Sequence, residues 1–284
     1  MTKLLALLDG SVYLQSICDY TAWIALRTSA SVELLHVLGR RDVSSAPADF
    51  SGNLDVDARD NLLAELASLD EQKAKLSQKR GRAILTEART RVLAAGVRDV
   101  STKLRHGDLV ETVNELEADA DLVIVGKRGE AADFARLHLG SNLERIVRAS
   151  QKPVFVASRS FQDVKRFLIA FDGGGSSQKA VDHIARGSLF PGLPCHILTV
   201  ASETAEAQEA LEDAGKRLRD AGYSVEAKLL KGPPEAAIAA YVEAQQIDLL
   251  VMGAYGHTRL RNLIIGSTTT EMIRSCKVPV MLFR

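Results

Sequence analysis

Three cysteines, Cys18, Cys195 and Cys276, are too few and too widely spaced for a disulfide framework. Neither a CxxC pair nor a Cys/His group with zinc spacing occurs, so they read as reduced, partly buried thiols. No apolar run approaches the roughly 18–20 residues that span a bilayer. The opening Met1–Gly10 stretch holds one Lys and an apolar run too short for a secretory core. No membrane partner and a cytoplasmic location are therefore expected. Charge of one sign is missing too: 36 Lys and Arg balance 36 Asp and Glu. That removes the basic excess on which general nucleic-acid binding depends. The chain has no GxxxxGK[ST] loop, hence no P-loop lysine for β- and γ-phosphates. The six histidines, His36, His106, His138, His183, His196 and His257, show no metal spacing, and no catalytic set is discernible. His36 and His196 fall in or beside apolar runs and read as packed strand residues.

What is present is a repeat. Leu4–Gly10, LLALLDG, recurs as Phe167–Gly173, FLIAFDG; Asp121–Gly126, DLVIVG, recurs as Asp248–Gly253, DLLVMG. Val32–Val37 recurs as His196–Val200, and Gln151–Val156 as Cys276–Met281, all in the same order. The first copy is longer by a segment at about 39–80, a Ser/Pro/Asp/Gly-rich loop and then a helical pattern with Leu62, Leu66, Leu69 and Leu76 on one face. This surplus either packs on its own domain or makes a subunit contact, and the second use implies a homodimer. Domains of 1–158 and 163–284 are expected, with a short polar joint between them. Within each copy, short apolar runs alternate with helical patterns, and runs such as Leu122–Val125 are apolar on successive residues. That suits parallel strands buried on both faces, giving two tandem α/β, doubly wound, five-stranded, Rossmann-like domains. The last strands, 153–157 and 278–283, are expected at the junction of the copies, because an unpaired edge needs cover.

The second copy carries Gly253-Ala-Tyr-Gly256, nine residues, then Gly266-Ser267-Thr268, between an apolar strand and an amphipathic helix. Strand carboxyl ends are where open α/β sheets bind ligands. Glycines admit close backbone approach, and the start of a helix offers unpaired N–H groups at the positive end of its dipole. Ser and Thr add hydroxyls. His257, Arg259 and Arg261 lie in the intervening loop, which holds no acid. The whole reads as an anion cradle, although Gly266-Ser267 also fits a plain helix start, and Asp9 and Asp172 also fit turn residues.

The Gly-x2-Gly-x9-Gly-Ser/Thr spacing, Asp172-Gly173 after the first strand, Gly232-Pro233 before the third helix and Cys276-Lys-Val-Pro-Val together resemble the universal stress protein family, once per copy. The resemblance implies an adenine-nucleotide α-hydrolase-like fold and ATP as ligand, with or without Mg. It implies that Asp172 lies near adenine and ribose, that Val200 lines the base, that Met252 and Gly253 lie under the nucleotide, and that Gly256, Gly266, Ser267 and Thr268 hold phosphate. The matching positions in the first copy are Asp9, Val37, Val125, Gly126, Gly129, Gly140, Ser141 and Asn142. That copy departs from the pattern, with ten residues between Gly129 and Gly140, acids Glu130 and Asp133 among them, and Asn142 where Thr268 stands. It is expected to be the weaker site. The implied function is a nucleotide-dependent stress-response regulator acting through unidentified protein partners. The alternatives are an interaction scaffold without nucleotide and an enzyme of adenylyl chemistry. No catalytic residue is evident, so at most slow ATP hydrolysis is expected.

Overall fold

The computed structural model describes residues 2–39, 56–129, 141–254 and 266–284, with side chains 56–59 and 141 left out. The first half runs β1 (Lys3–Leu7), α1 (Leu14–Thr28), β2 (Ser31–Leu38), α2 (Val56–Ala94), β3 (Val100–His106), α3 (Leu109–Leu116), β4 (Leu122–Gly126), α4 (Ser141–Ala149) and β5 (Val154–Ala157). The second runs β6 (Phe167–Ala170), α5 (Gly175–Arg186), β7 (Cys195–Val200), α6 (Ala205–Asp220), β8 (Val225–Leu230), α7 (Pro234–Ala244), β9 (Leu249–Gly253), α8 (Ser267–Ser275) and β10 (Val280–Phe283). The helical pattern and the loop pattern of the surplus segment part company here: its helix is continuous with the second helix of the repeat, and residues 40–55 lie outside the described residues.

Successive residues of each strand feed opposite cores. Leu4 and Ala6 face one layer with Ile17, Ile24, Leu85 and Val92. Leu5 and Leu7 face the other with Val113, Ile146 and Val147. The same division holds in the second half, so α1, α2, α5 and α6 cover one face and α3, α4, α7 and α8 the other. This is why the strands read as unbroken apolar runs.

The two five-stranded arrangements do not stay separate. They form one ten-stranded sheet, β3-β2-β1-β4-β5-β10-β9-β6-β7-β8. All pairings are parallel except β5 with β10, where Val156, Phe155 and Val154 oppose Val280, Met281 and Leu282. Each half thus covers the other's last edge strand. The joint is pinned as well: Tyr20 exchanges a hydrogen bond of 3.0 Å with Ser158 and accepts one of 3.2 Å from the Gln162 amide. Arg27 donates across the halves to the Leu189 and Pro191 carbonyls at 2.6 and 2.7 Å. All three cysteines are free and buried, and burial raises the Cys18 and Cys195 thiols to about 12, which keeps them protonated and unreactive.

Candidate functional site

In the order β3-β2-β1-β4-β5, the direction of winding reverses between β1 and β4, and in the second half between β6 and β9. A crevice opens outside the carboxyl ends of such strand pairs. The register aligns Ala6 with Ile124 and Ala170 with Met252, so Asp9, Gly126, Asp172 and Gly253 all follow at these ends. Val37 and Val200 lie at the ends of the neighbouring strands, half-buried where their strands are otherwise closed. The described candidate residues Asp9, Val37, Val125, Gly126, Asp172, Val200, Met252 and Gly253 therefore lie at or just beyond the carboxyl ends of their strands. Gly140 and Gly256 lie outside the described residues.

In the second half, the Asp172 carboxylate is exposed but held. Its Oδ1 accepts from the Gly174 amide at 2.9 Å and from the Ser177 hydroxyl at 2.6 Å. Asp9 accepts from the Ser11 amide at 3.1 Å in the same way. Both acids are thus turn residues, with each carboxylate held by an amide of its own turn. Met252 is buried, and Gly253 is required by packing: a Cβ there would meet Ser176 Cβ at 2.9 Å and the Ser177 amide at 3.3 Å. Gly126 matches it, with Tyr13 Cβ at 2.9 Å from an added Cβ. Close approach of α1 and α5 to the strand ends, independent of any ligand, explains these two glycines.

Gly266 starts α8 with φ −57° and ψ 145°, a conformation open to any residue, so backbone geometry does not demand glycine here. Its amide bonds to the Ala254 carbonyl at 3.2 Å and its carbonyl receives the Thr270 amide at 2.9 Å. No side chain caps the helix among the described residues, leaving its first amides, near Ser267 and Thr268, without an intrahelical acceptor. Ser267 is exposed and Thr268 half-buried, and the Thr269 hydroxyl ties the helix to the Gly253 carbonyl at 3.0 Å. In the first half, Val125 is buried, Asn142 is exposed, and Gly129 lies against Asp9, whose Oδ2 stands 2.9 Å from where a Cβ would be. Ser141 opens α4.

The profile of the universal stress protein family matches residues 1–158 and 199–284. The chain belongs to the universal stress protein family. It is 38% identical over 287 residues to universal stress protein Slr1230 of Synechocystis sp., covering 100% of both chains. It is 31% identical over 81 residues to universal stress protein MJ0577 of Methanocaldococcus jannaschii, a match covering 28% of this chain and 50% of that one. Among solved structures, a universal stress protein from Archaeoglobus fulgidus shares the fold with a TM-score of 0.72 and 21% identity, covering 99% of this chain and 98% of that one.

Three side chains of this universal stress protein matter to the crevices and were not singled out from the sequence. Lys127, in the loop segment of the first copy, donates instead to the Cys276 carbonyl at the end of α8. Burial pulls its ammonium down to about 8, with Cys276 and Arg128 as smaller influences. It therefore joins the two halves and leaves the first copy's anion loop. Glu235, from the first turn of α7, accepts the Thr268 hydroxyl at 2.7 Å, which holds its carboxyl below the usual range. An acid thus stands beside Thr268 at the start of α8. Ser177 orients Asp172. A cation at the close of a strand, or an acid after Gly232-Pro233-Pro234, carries no local mark of the helix it will meet. The equivalent contact in the first half uses other residues: Arg145 of α4 pairs with Asp108, the cap of α3, at 2.7 Å.

Proposed function

We propose that this chain binds adenine nucleotide, ATP in the first instance, and acts as a nucleotide-dependent stress-response regulator in the cytoplasm. Its units are 1–158 and 163–284, and the second holds the stronger site. The observation that carries the reading is the α8 start. A glycine whose φ and ψ suit any residue starts α8, with no side-chain cap among the described residues, and a carboxylate fixed by two hydrogen bonds follows β6, the strand beside β9. Gly256, Gly266, Ser267 and Thr268 would hold phosphate through amides and hydroxyls, Asp172 the ribose, and Val200, Met252 and Gly253 the base. Asp9, Val37, Val125, Gly126, Gly129, Gly140, Ser141 and Asn142 would do the same less well. Mg would enter with the phosphates.

A protein scaffold that holds no nucleotide is the second reading. Glu235 favours it, because its carboxylate already takes the Thr268 hydroxyl. Nucleotide released from protein purified without added ligand, identified by chromatography and mass spectrometry, separates the two. Adenine nucleotide at near-stoichiometric amount supports the proposal. Protein that is nucleotide-free and shows no heat with Mg-ATP in calorimetry overturns it.

A further inference from the structure

Helix α2 is 39 residues long, about 58 Å at 1.5 Å per residue. Only its last third packs on the sheet, through Gly81, Ile84, Leu85, Ala88 and Val92. Between Asp60 and Arg80 no residue is buried. That stretch still carries an apolar stripe: Leu62, Leu66, Leu69 and Leu76 recur at steps of four, three and seven, the period of a helix–helix seam. Leu69 and Leu76 are 59% and 67% exposed, unusual for leucines in register on one helix face.

The charges along the same stretch are sorted by sign. Residues 60–72 contain Asp60, Glu65, Asp70 and Glu71 and no cation, whereas 73–82 contain Lys73, Lys75, Lys79, Arg80 and Arg82 and no acid. The helix dipole does not account for this, because it acts only within the terminal turns and the basic block lies mid-helix. The Glu71–Lys75 ion pair at 2.6 Å bridges the boundary within the helix. A segregated block pattern is self-complementary when two such helices run antiparallel, acid against base at both ends. It is self-repelling when they run parallel.

We propose that α2 is the dimerisation surface of this protein, and that its occupant is the α2 of a second copy, laid antiparallel and crossing near Glu71. In that register Leu66 of each copy faces Leu76 of the other, Leu69 faces the Lys73 stem and Leu62 the Arg80 stem. The long aliphatic parts of Lys and Arg cover leucine while their heads reach the opposing acids. The acidic block of each helix lies along the basic block of its mate, which sets orientation and register.

The test uses the full chain in three forms: wild type, an all-basic variant (Glu65→Lys, Asp70→Lys, Glu71→Lys) and an all-acidic variant (Lys73→Glu, Lys75→Glu, Lys79→Glu). Sedimentation equilibrium should show a wild-type dimer that weakens as salt rises, each variant weakened by roughly tenfold or more in Kd, and a one-to-one heterodimer on mixing the variants. Orientation is read by spin labels on Asn61→Cys or Gln72→Cys, the native cysteines being buried. Antiparallel helices put the Asn61 labels about 30 Å apart and the Gln72 labels at about the interhelix distance of 8–10 Å. A wild type monomeric at high micromolar concentration, variants that dimerise like wild type, or Asn61 labels as close as the Gln72 labels would each overturn the proposal.

Discussion

Substituting valine at Gly266 tests the cradle directly, because the backbone there tolerates a side chain. With φ −57° and ψ 145°, Gly266→Val introduces no torsional strain, and its own amide and carbonyl bonds, to Ala254 and Thr270, can persist. What changes is the space in front of the first amides of α8. Displacing a phosphate oxygen from one such amide loses a charge-assisted hydrogen bond, about 1.5–3 kcal/mol, or roughly tenfold to a hundredfold in Kd. The same change at Gly140 should matter less, for an electrostatic reason that the structure sharpens. Counted from the sequence, the second loop carries Arg259 and Arg261, and subtracting the Glu235 that accepts from Thr268 leaves one net positive charge. In the first, Arg128 and Arg136 are cancelled by Glu130 and Asp133, and Lys127 is turned toward Cys276. One charge near a phosphate is worth about 1 kcal/mol at contact distance in water, or roughly fivefold in affinity. Titration calorimetry with Mg-ATP on wild type, Gly266→Val and Gly140→Val should therefore show the tight site lost in the first variant and kept in the second. If Gly140→Val removes the tight site and Gly266→Val spares it, the roles of the two halves are reversed. If both variants bind as wild type does, the cradle is not where phosphate binds.

Glu235→Gln removes the acid beside Thr268 and should tighten Mg-ATP several-fold by calorimetry; weaker binding would mean that the carboxylate serves the ligand. Gly253→Ala drives a Cβ to 2.9 Å from Ser176 and should cost about 1–3 kcal/mol in denaturant unfolding, the usual range for overpacking; an unchanged midpoint would show that α5 can yield. Lys127 has its folded pKa depressed to about 8, so between about 8 and 10.5 the unfolded chain holds more protons and stability rises with pH. Relative to Lys127→Met, wild type should gain about 2 kcal/mol across that window, after allowance for solvent screening of a half-buried ammonium, and the two should run parallel below it. A constant difference from pH 7 to 10.5 would mean that the ammonium is not desolvated.

Much of this architecture was legible because the signals are local. Unbroken apolar runs mean strands covered twice, and Leu4 through Leu7 do alternate between two cores. The ordered repeat placed Asp9 and Asp172, Gly126 and Gly253 at matching strand ends, on the strand pairs β1/β4 and β6/β9 between which the winding reverses. The helical period that includes Leu62, Leu66, Leu69 and Leu76 indicated one long helix over about 58–95, and the structure has it as Val56–Ala94, 39 residues.

Sequence by itself determined the elements and their order, since each follows from residue patterns within one turn or one strand. Tertiary structure alone decided what meets across the halves. The expected junction at the two last strands became a specific antiparallel register of β5 on β10, set by which side chains fill the shared cores. Lys127, next to Gly126 in sequence, donates to the Cys276 carbonyl at the end of α8, and Glu235, a first-turn acid of α7, accepts the Thr268 hydroxyl. A long side chain spends its charge on whichever acceptor the packing of distant elements brings within reach, and that choice is made by contacts separated by 149 residues in one case and 33 in the other.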